Sequence, residues 1–267
     1  LADIEMNEED VRALLDLEAA AGWTTRREER ATEAGRTGTH LVFRCEATLG
    51  SVGAWSNEAA DLTVRVAPGS PARLVDTVAV EVGHGADYRT LEYRETLDAS
   101  SVKELLDRFL ADELTRGVSR AHPELQDWKL AELRGIFRAH LHHFPSIVID
   151  DDEDEKARDE FVAAAAPQAA WIVWGEFPSP GQIAATAELL TSTFDDDGEG
   201  TDEYLQTELP GISLLAFMSL DFEISLPGRI VDTNADRSSD GFAAWERPVW
   251  SALESPIVIH ARSHIEE

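Results

Sequence analysis

Residues 222–245 read Phe-Glu-Ile-Ser-Leu-Pro-Gly-Arg-Ile-Val-Asp-Thr-Asn-Ala-Asp-Arg-Ser-Ser-Asp-Gly-Phe-Ala-Ala-Trp, and this stretch decides the fold. Phe222, Ile224 and Leu226 alternate with Glu223 and Ser225, the period of a strand with one covered face. Pro227-Gly228 has the order that a type II turn needs, since proline fixes φ at the first central position and glycine tolerates positive φ at the second. Ile230 and Val231 resume an apolar run, and Asn234, Asp236 and Gly241 mark a polar turn before 242–245. The reading is strand, tight turn, strand, polar turn, strand.

Working outward, Ile257, Ile259 and Ala261 alternate with Val258, His260 and Arg262 at the C-terminal end. Towards the N-terminus, Leu41/Phe43/Cys45, Leu62/Val64/Val66, Val78/Val80/Val82 and Leu91/Tyr93 are further sets of period two, separated by Gly, Pro, Asn and Asp. Residues 7–21 read as a helix with an apolar stripe of Val11, Leu14 and Leu15, closed by Gly22-Trp23, and 24–39 as a charged turn or hairpin end. Between these flanks the period is helical. Ser101 and Glu104 have the spacing of a capping box, followed by a stripe of Val102, Leu105, Leu106, Phe109, Leu110 and Leu114. After His122-Pro123, Leu125, Trp128, Leu133, Ile136, Phe137 and Phe144 are in phase. Asp151 opens a third helix that Pro167 should kink or divide, and Ser179-Pro180 has the chemistry to start a fourth, ending near Phe194. The expected fold is α+β: an antiparallel sheet built from both ends of the chain, 1–97 and 219–267, around a helical insertion of about 120 residues at 98–218.

The order Pro227-Gly228-Arg229-Ile230, then Asn234-Ala235, then Trp245 resembles the C-terminal part of LppM-like domains, a family of exported, often lipid-anchored proteins. In that family a helix ending near Gly-Trp, here Gly22-Trp23, is similarly followed by strands. The resemblance covers 1–97 and 219–267, and the helical block is foreign to it. It implies an extracytoplasmic location, an anchor in an upstream segment, and a lipid-like ligand or envelope partner. It implies an architecture and a compartment more than a reaction.

The composition narrows the partners. Fifty-two acidic residues face 23 basic ones, a formal charge of −29, and Lys103, Lys129 and Lys156 are the lysines. Nucleic acid and anionic membrane surfaces are poor partners for such a chain. Acids spread along the whole length favour adaptation to high salt over one acidic binding face. The longest charge-free run, 161–175, is too short for a membrane span and contains Pro167. Cys45, the one cysteine, falls at an apolar phase and reads as a buried thiol without disulfide or zinc chemistry. Leu1 follows no visible leader, so an upstream segment is expected to have been processed or cut away.

Three groups of residues carry candidate chemistry. Asp195, Asp197 and Glu199, with Gly200, match the first half of a calcium loop, but Gln206 stands where a bidentate glutamate is expected. Calcium is the one cofactor considered, and the expectation is that none is required. His140 and His143 have metal-ligand spacing, although His140 shares the apolar stripe of its helix and the pair lies near a helix C-terminus, where histidine is favourable. Trp171, Trp174 and Phe177 concentrate aromatic area beside a run of alanines, and are the candidates for an apolar or amphipathic ligand at the junction of insertion and sheet. No Gly-x-Ser-x-Gly, His-Glu-x-x-His or Gly-x-x-x-x-Gly-Lys motif is present. The expected function is binding by an exported domain. The alternatives are a hydrolase or metal-dependent enzyme assembled from scattered His and Asp/Glu, and a calcium-stabilised interaction module.

Overall fold

The computed structural model describes residues 24–31, 39–46, 63–67, 69–85, 87–143, 151–195, 209, 211–212, 215 and 219–266, so the helix expected at 7–21 lies outside the described residues. The fold is α+β, and the chain divides into two compact units. One comprises 1–98, 219–248 and 256–267; the other comprises 99–218 and 249–255. The second unit therefore takes a short C-terminal segment that the sequence reading left with the sheet.

The strands are β1 (Thr24–Ala31), β2 (Thr39–Glu46), β3 (Thr63–Arg65), β4 (Arg73–His84), β5 (Tyr88–Asp98), β6 (Ser219–Ser225), β7 (Arg229–Thr233), β8 (Arg237–Ser239), β9 (Phe242–Pro248) and β10 (Ile257–Glu266). β1 and β2 form an antiparallel pair with Thr24 opposite Glu46 and Ala31 opposite Thr39. Residues 24–31 are thus a strand where the sequence suggested a turn. Alternation reveals a covered face, whereas a ladder needs only backbone groups, and Thr-Thr-Arg-Arg-Glu-Glu-Arg-Ala carries no alternation to read.

The main sheet has the order β3-β4-β5-β10-β7, antiparallel throughout. β10 joins the two ends of the chain by lying beside β5, with Ile257 opposite Leu97 and Glu266 opposite Tyr88. Its inward phase follows the sequence alternation: Ile257, Ile259, Ala261 and Ser263 are buried, as are Leu91, Tyr93, Glu95 and Leu97 on β5. A second sheet has the order β6-β9-β8.

The Pro227-Gly228 turn does not fold β6 and β7 onto one another, because β6 pairs with β9 and β7 with β10. The turn carries the chain from one sheet to the other. Gly228 has φ 82, and a Cβ there would lie 2.0 Å from the carbonyl oxygen of His264, so both backbone angle and close approach demand glycine. Asn234 fastens the next corner. Its Oδ1 accepts from the indole Nε1 of Trp245 (2.9 Å) and from the backbone N of His260 (2.9 Å), and its Nδ2 donates to the carbonyl of Val258 (2.7 Å). Trp245 is 2% exposed, so this bond satisfies a buried donor. Glycine, asparagine and tryptophan in this segment accordingly have structural roles.

The helices are α1 (Ser100–Ala121), α2 (Asp127–Leu141), α3 (Asp151–Trp174), α4 (Pro180–Asp195) and the one-turn α5 (Ser251–Glu254). The first four pack in a ring, each against the next and α4 back against α1. The core joins Leu114 and Val118 of α1, Leu133 and Phe137 of α2, Phe161, Ala165 and Ala169 of α3, and Leu190 of α4. Alanines at 165, 166, 169 and 170 are all buried, which lets the α3 backbone approach its neighbours. Gly117 serves α1 similarly, since a Cβ there would meet Thr193 Oγ1 at 2.5 Å. Pro167 sits inside α3 without dividing it. The expected capping box fails: α1 begins at Ser100, its N-cap Ala99 makes no side-chain bond, and Ser101 is already helical. Ser179 does cap α4, exchanging bonds with Gln182 (Ser179 N to Oε1, 2.8 Å; Gln182 N to Oγ, 3.3 Å).

Candidate functional site

The helical unit places both of its short turns at one end. The α1–α2 turn spans 122–126 and the α3–α4 turn spans 175–179, and side chains tie them together. The rings of His122 and Trp174 meet edge to face at 4.9 Å, and Lys129 Nζ, in the first turn of α2, donates to the carbonyl of Ile172 near the end of α3 (2.9 Å). Trp174 Nε1 donates to Thr186 Oγ1 of α4 (3.3 Å).

This end is where the aromatics stand out of the core. Trp171 is 47% exposed, Trp174 43%, Phe177 91% and Trp128 59%, while Ile172 between the first two is buried. These four are a majority of the seven large apolar side chains that the described residues expose, so the exposure is concentrated rather than scattered. Phe177 is the one non-glycine with positive φ (67) among the described residues. Holding a bulky residue there costs about 1–2 kcal/mol, and its ring repays none of that cost by packing. Gly175, at φ 92, ends α3 and sends the chain into this bend.

Trp128 is a correction to the expected stripe of α2. Leu133, Phe137 and Leu141 are buried, whereas Trp128 in the first turn lies outside the packed arc, its indole N–H held by Gln126 Oε1 (2.5 Å). Sequence phase placed it with the core; the end of the helix, where no neighbour covers that phase, frees it.

Two buried polar clusters escaped the sequence reading. On the covered face of the main sheet, Tyr93 donates to Glu95 Oε2 (2.5 Å), and Asp76 is a second buried carboxyl group acting on Glu95. Both carboxyl groups are about 6% exposed. Two neighbouring buried carboxyl groups favour the protonated form in one of them. Burial raises the Glu95 pKa against the lowering effect of Asp76 and Tyr93, and burial with the nearby Glu95 charge raises that of Tyr93. The signal was legible: Asp76 and Glu95 occupy inward phases between Leu74 and Val78 and between Tyr93 and Leu97. The second cluster is Lys103, which pairs with Asp107 one turn later and donates to the Leu141 carbonyl at the end of α2 (2.9 Å). Desolvation lowers its pKa, opposed by Asp107. Lys103 and Lys129, two of only three lysines, thus both satisfy carbonyls near helix C-termini.

The remaining candidates do not converge. His140 Nε2 lies 3.0 Å from Gln168 Nε2, and His142 and His143 are exposed. Among the described residues no group of three or more His, Cys, Asp and Glu could hold a metal ion. Asp195 ends α4, but its side chain, with Asp197 and Glu199, lies outside what is described, as does the side chain of Cys45. A shallow recess lined by Ser219, Asp236, Arg237, Glu246 and Pro248 belongs to the sheet unit, where Asp236 accepts from the Glu246 amide and from Arg247. No helix among the described residues is long and apolar enough to cross a membrane. Comparison with protein-family models, with curated proteins and with solved structures gave no match.

Proposed function

We propose that this chain is a binding module whose contact surface is the aromatic end of the four-helix ring: Trp171, Trp174 and Phe177, extended by Trp128. The observation that carries the reading is Phe177, a 91% exposed ring on a backbone with φ 67. A strained, solvent-facing aromatic is unfavourable twice over in the free protein, and a partner that covers it recovers apolar burial. The neighbouring indoles suit such a contact, offering flat apolar area with few rotatable bonds and, for Trp174, an N–H already satisfied.

The ligand in this reading is apolar or amphipathic, and the protein acts outside the cytoplasm in the manner of LppM-like domains, with a lipid-like molecule or an envelope protein as partner. The order Pro227-Gly228…Asn234…Trp245 carries that comparison, and in this chain Gly228 and the Asn234–Trp245 bond lie where the chain passes between the two sheets. The Asp76–Glu95 pair has the chemistry of an acid–base dyad, but its place on a covered sheet face favours a structural role.

Titration with dodecyl maltoside monomers tests the proposal through tryptophan fluorescence. A saturable change is expected in the wild type and its loss in the Trp171→Ala, Trp174→Ala double variant. A response unchanged in that variant would assign binding elsewhere and defeat the proposal.

A further inference from the structure

Carboxylates outnumber cations around the aromatic end, where Arg120 in the last turn of α1 is the exposed exception. Glu124 lies in the α1–α2 turn and Asp127 follows it, Glu176 precedes Phe177 in the α3–α4 turn, and all three are exposed. The stretches 122–128 and 175–182 contain no lysine or arginine. Lys129, the nearest lysine, is not offered outward, because its ammonium donates to the Ile172 carbonyl. Glu124 is joined to the aromatics through His122, whose Nδ1 lies 3.3 Å from Glu124 Oε1 while its ring meets Trp174. The surface is therefore three indoles and a protruding phenyl ring bordered by carboxylates.

Resting on the reading of this end as a binding surface, we infer that its partner is a cationic amphipathic helix of another protein, with large apolar side chains on one face bordered by lysine or arginine. The apolar side chains cover Trp128, Trp171, Trp174 and Phe177, and the cations meet Glu124, Asp127 and Glu176. Arginine and lysine also stack on exposed indole faces, so one segment satisfies both parts of the surface. A protruding Phe177 suits the apolar face of a peptide better than an acyl chain, which needs a concavity. The total charge of −29 adds long-range attraction for the same partner and repels anionic lipid.

The test uses two designed amphipathic helices of ~18 residues, one of Leu and Lys and its twin of Leu and Glu, titrated at ~0.15 M KCl to suppress diffuse attraction. Saturable binding of the Leu/Lys helix alone is expected. The Glu124→Gln, Asp127→Asn, Glu176→Gln variant should bind it about tenfold more weakly, three partly screened contacts being lost. A variant with the same net charge, Asp221→Asn, Glu223→Gln, Glu246→Gln, alters exposed acids of the sheet unit and should bind as the wild type does. Equal weakening in both variants would overturn the inference, since charge alone would then explain attraction. Equal binding of both helices, or preference for phosphatidylcholine vesicles, would overturn it while leaving an aromatic binding site in place. If the Leu/Lys helix, detergent monomers and vesicles all fail to bind, the inference and the proposed function fall together.

Discussion

Replacing Asn234 by alanine removes three hydrogen bonds at the corner between the sheets, and their values can be separated. Trp245 Nε1 loses its acceptor inside a residue 2% exposed, so an orphaned buried donor costs about 1–3 kcal/mol. The backbone N of His260 and the carbonyl of Val258 lie at half-exposed positions that water reaches, so each loses only about 0.5 kcal/mol. The expected total is about 2–4 kcal/mol. Trp245→Phe removes the donor itself and keeps most of the ring, so in that background Asn234→Ala should cost about 1–2 kcal/mol less, a coupling that identifies the indole bond as the main contribution. Because two compact units invite more than one unfolding transition, native-state amide exchange in β9 and β10 is the suitable assay. A cost below about 0.5 kcal/mol, or no coupling to Trp245→Phe, would refute the assignment of this asparagine as a fastener.

Other outcomes follow from the same geometry. Burial holds the folded-state pKa of Glu95 above its ordinary value of 4.5, so its contribution is complete below that value and is lost as pH rises through the raised one. Glu95→Gln should flatten that loss in urea midpoints measured against pH, and an unchanged slope would place the proton elsewhere. Phe177→Gly should stabilise the helical unit by about 0.5–1 kcal/mol by relieving positive φ, yet weaken ligand binding; lower thermal stability would show that φ 67 is not strained here. With 52 acidic residues against 23 basic ones, melting temperature should rise markedly from low to molar potassium chloride, and a flat response would mean local compensation of the carboxylates.

The sequence carried the strands best where one face is covered. The alternation of Ile257, Ile259 and Ala261 matches the burial of β10, and the Ser179 cap lies where its side chain indicated. Partnering was not legible in the same way. Pro227-Gly228 predicts a turn, but only the pairing of β6 with β9 and of β7 with β10 reveals that the turn links two sheets. The capping-box spacing at Ser101 was overridden because the helix starts two residues earlier, at Ser100 with Ala99 as N-cap. Of the candidate site, the concentration of Trp171, Trp174 and Phe177 was plain in the sequence, and their exposure was not. Trp171 and Trp174 have the same apolar character as buried Phe137 and Phe161, and only the ring of four helices decides which face has a neighbour. The Asp76–Glu95 pair was missed although both acids interrupt apolar phases, because their diagonal placement, Asp76 opposite Leu97 and Glu95 opposite Val78, is a property of register.

Fluorine NMR of protein labelled with 5-fluorotryptophan tests the binding surface most directly, because the seven tryptophans include their own controls. Titration with the Leu/Lys helix or with dodecyl maltoside should shift the resonances of Trp128, Trp171 and Trp174, assigned by single substitution, while Trp245, locked by Asn234, stays in place. Saturable shifts confined to those three are the predicted result. Shifts confined to the other tryptophans, or no saturable shift at Trp171 and Trp174, would contradict a binding surface at the end of the helical unit.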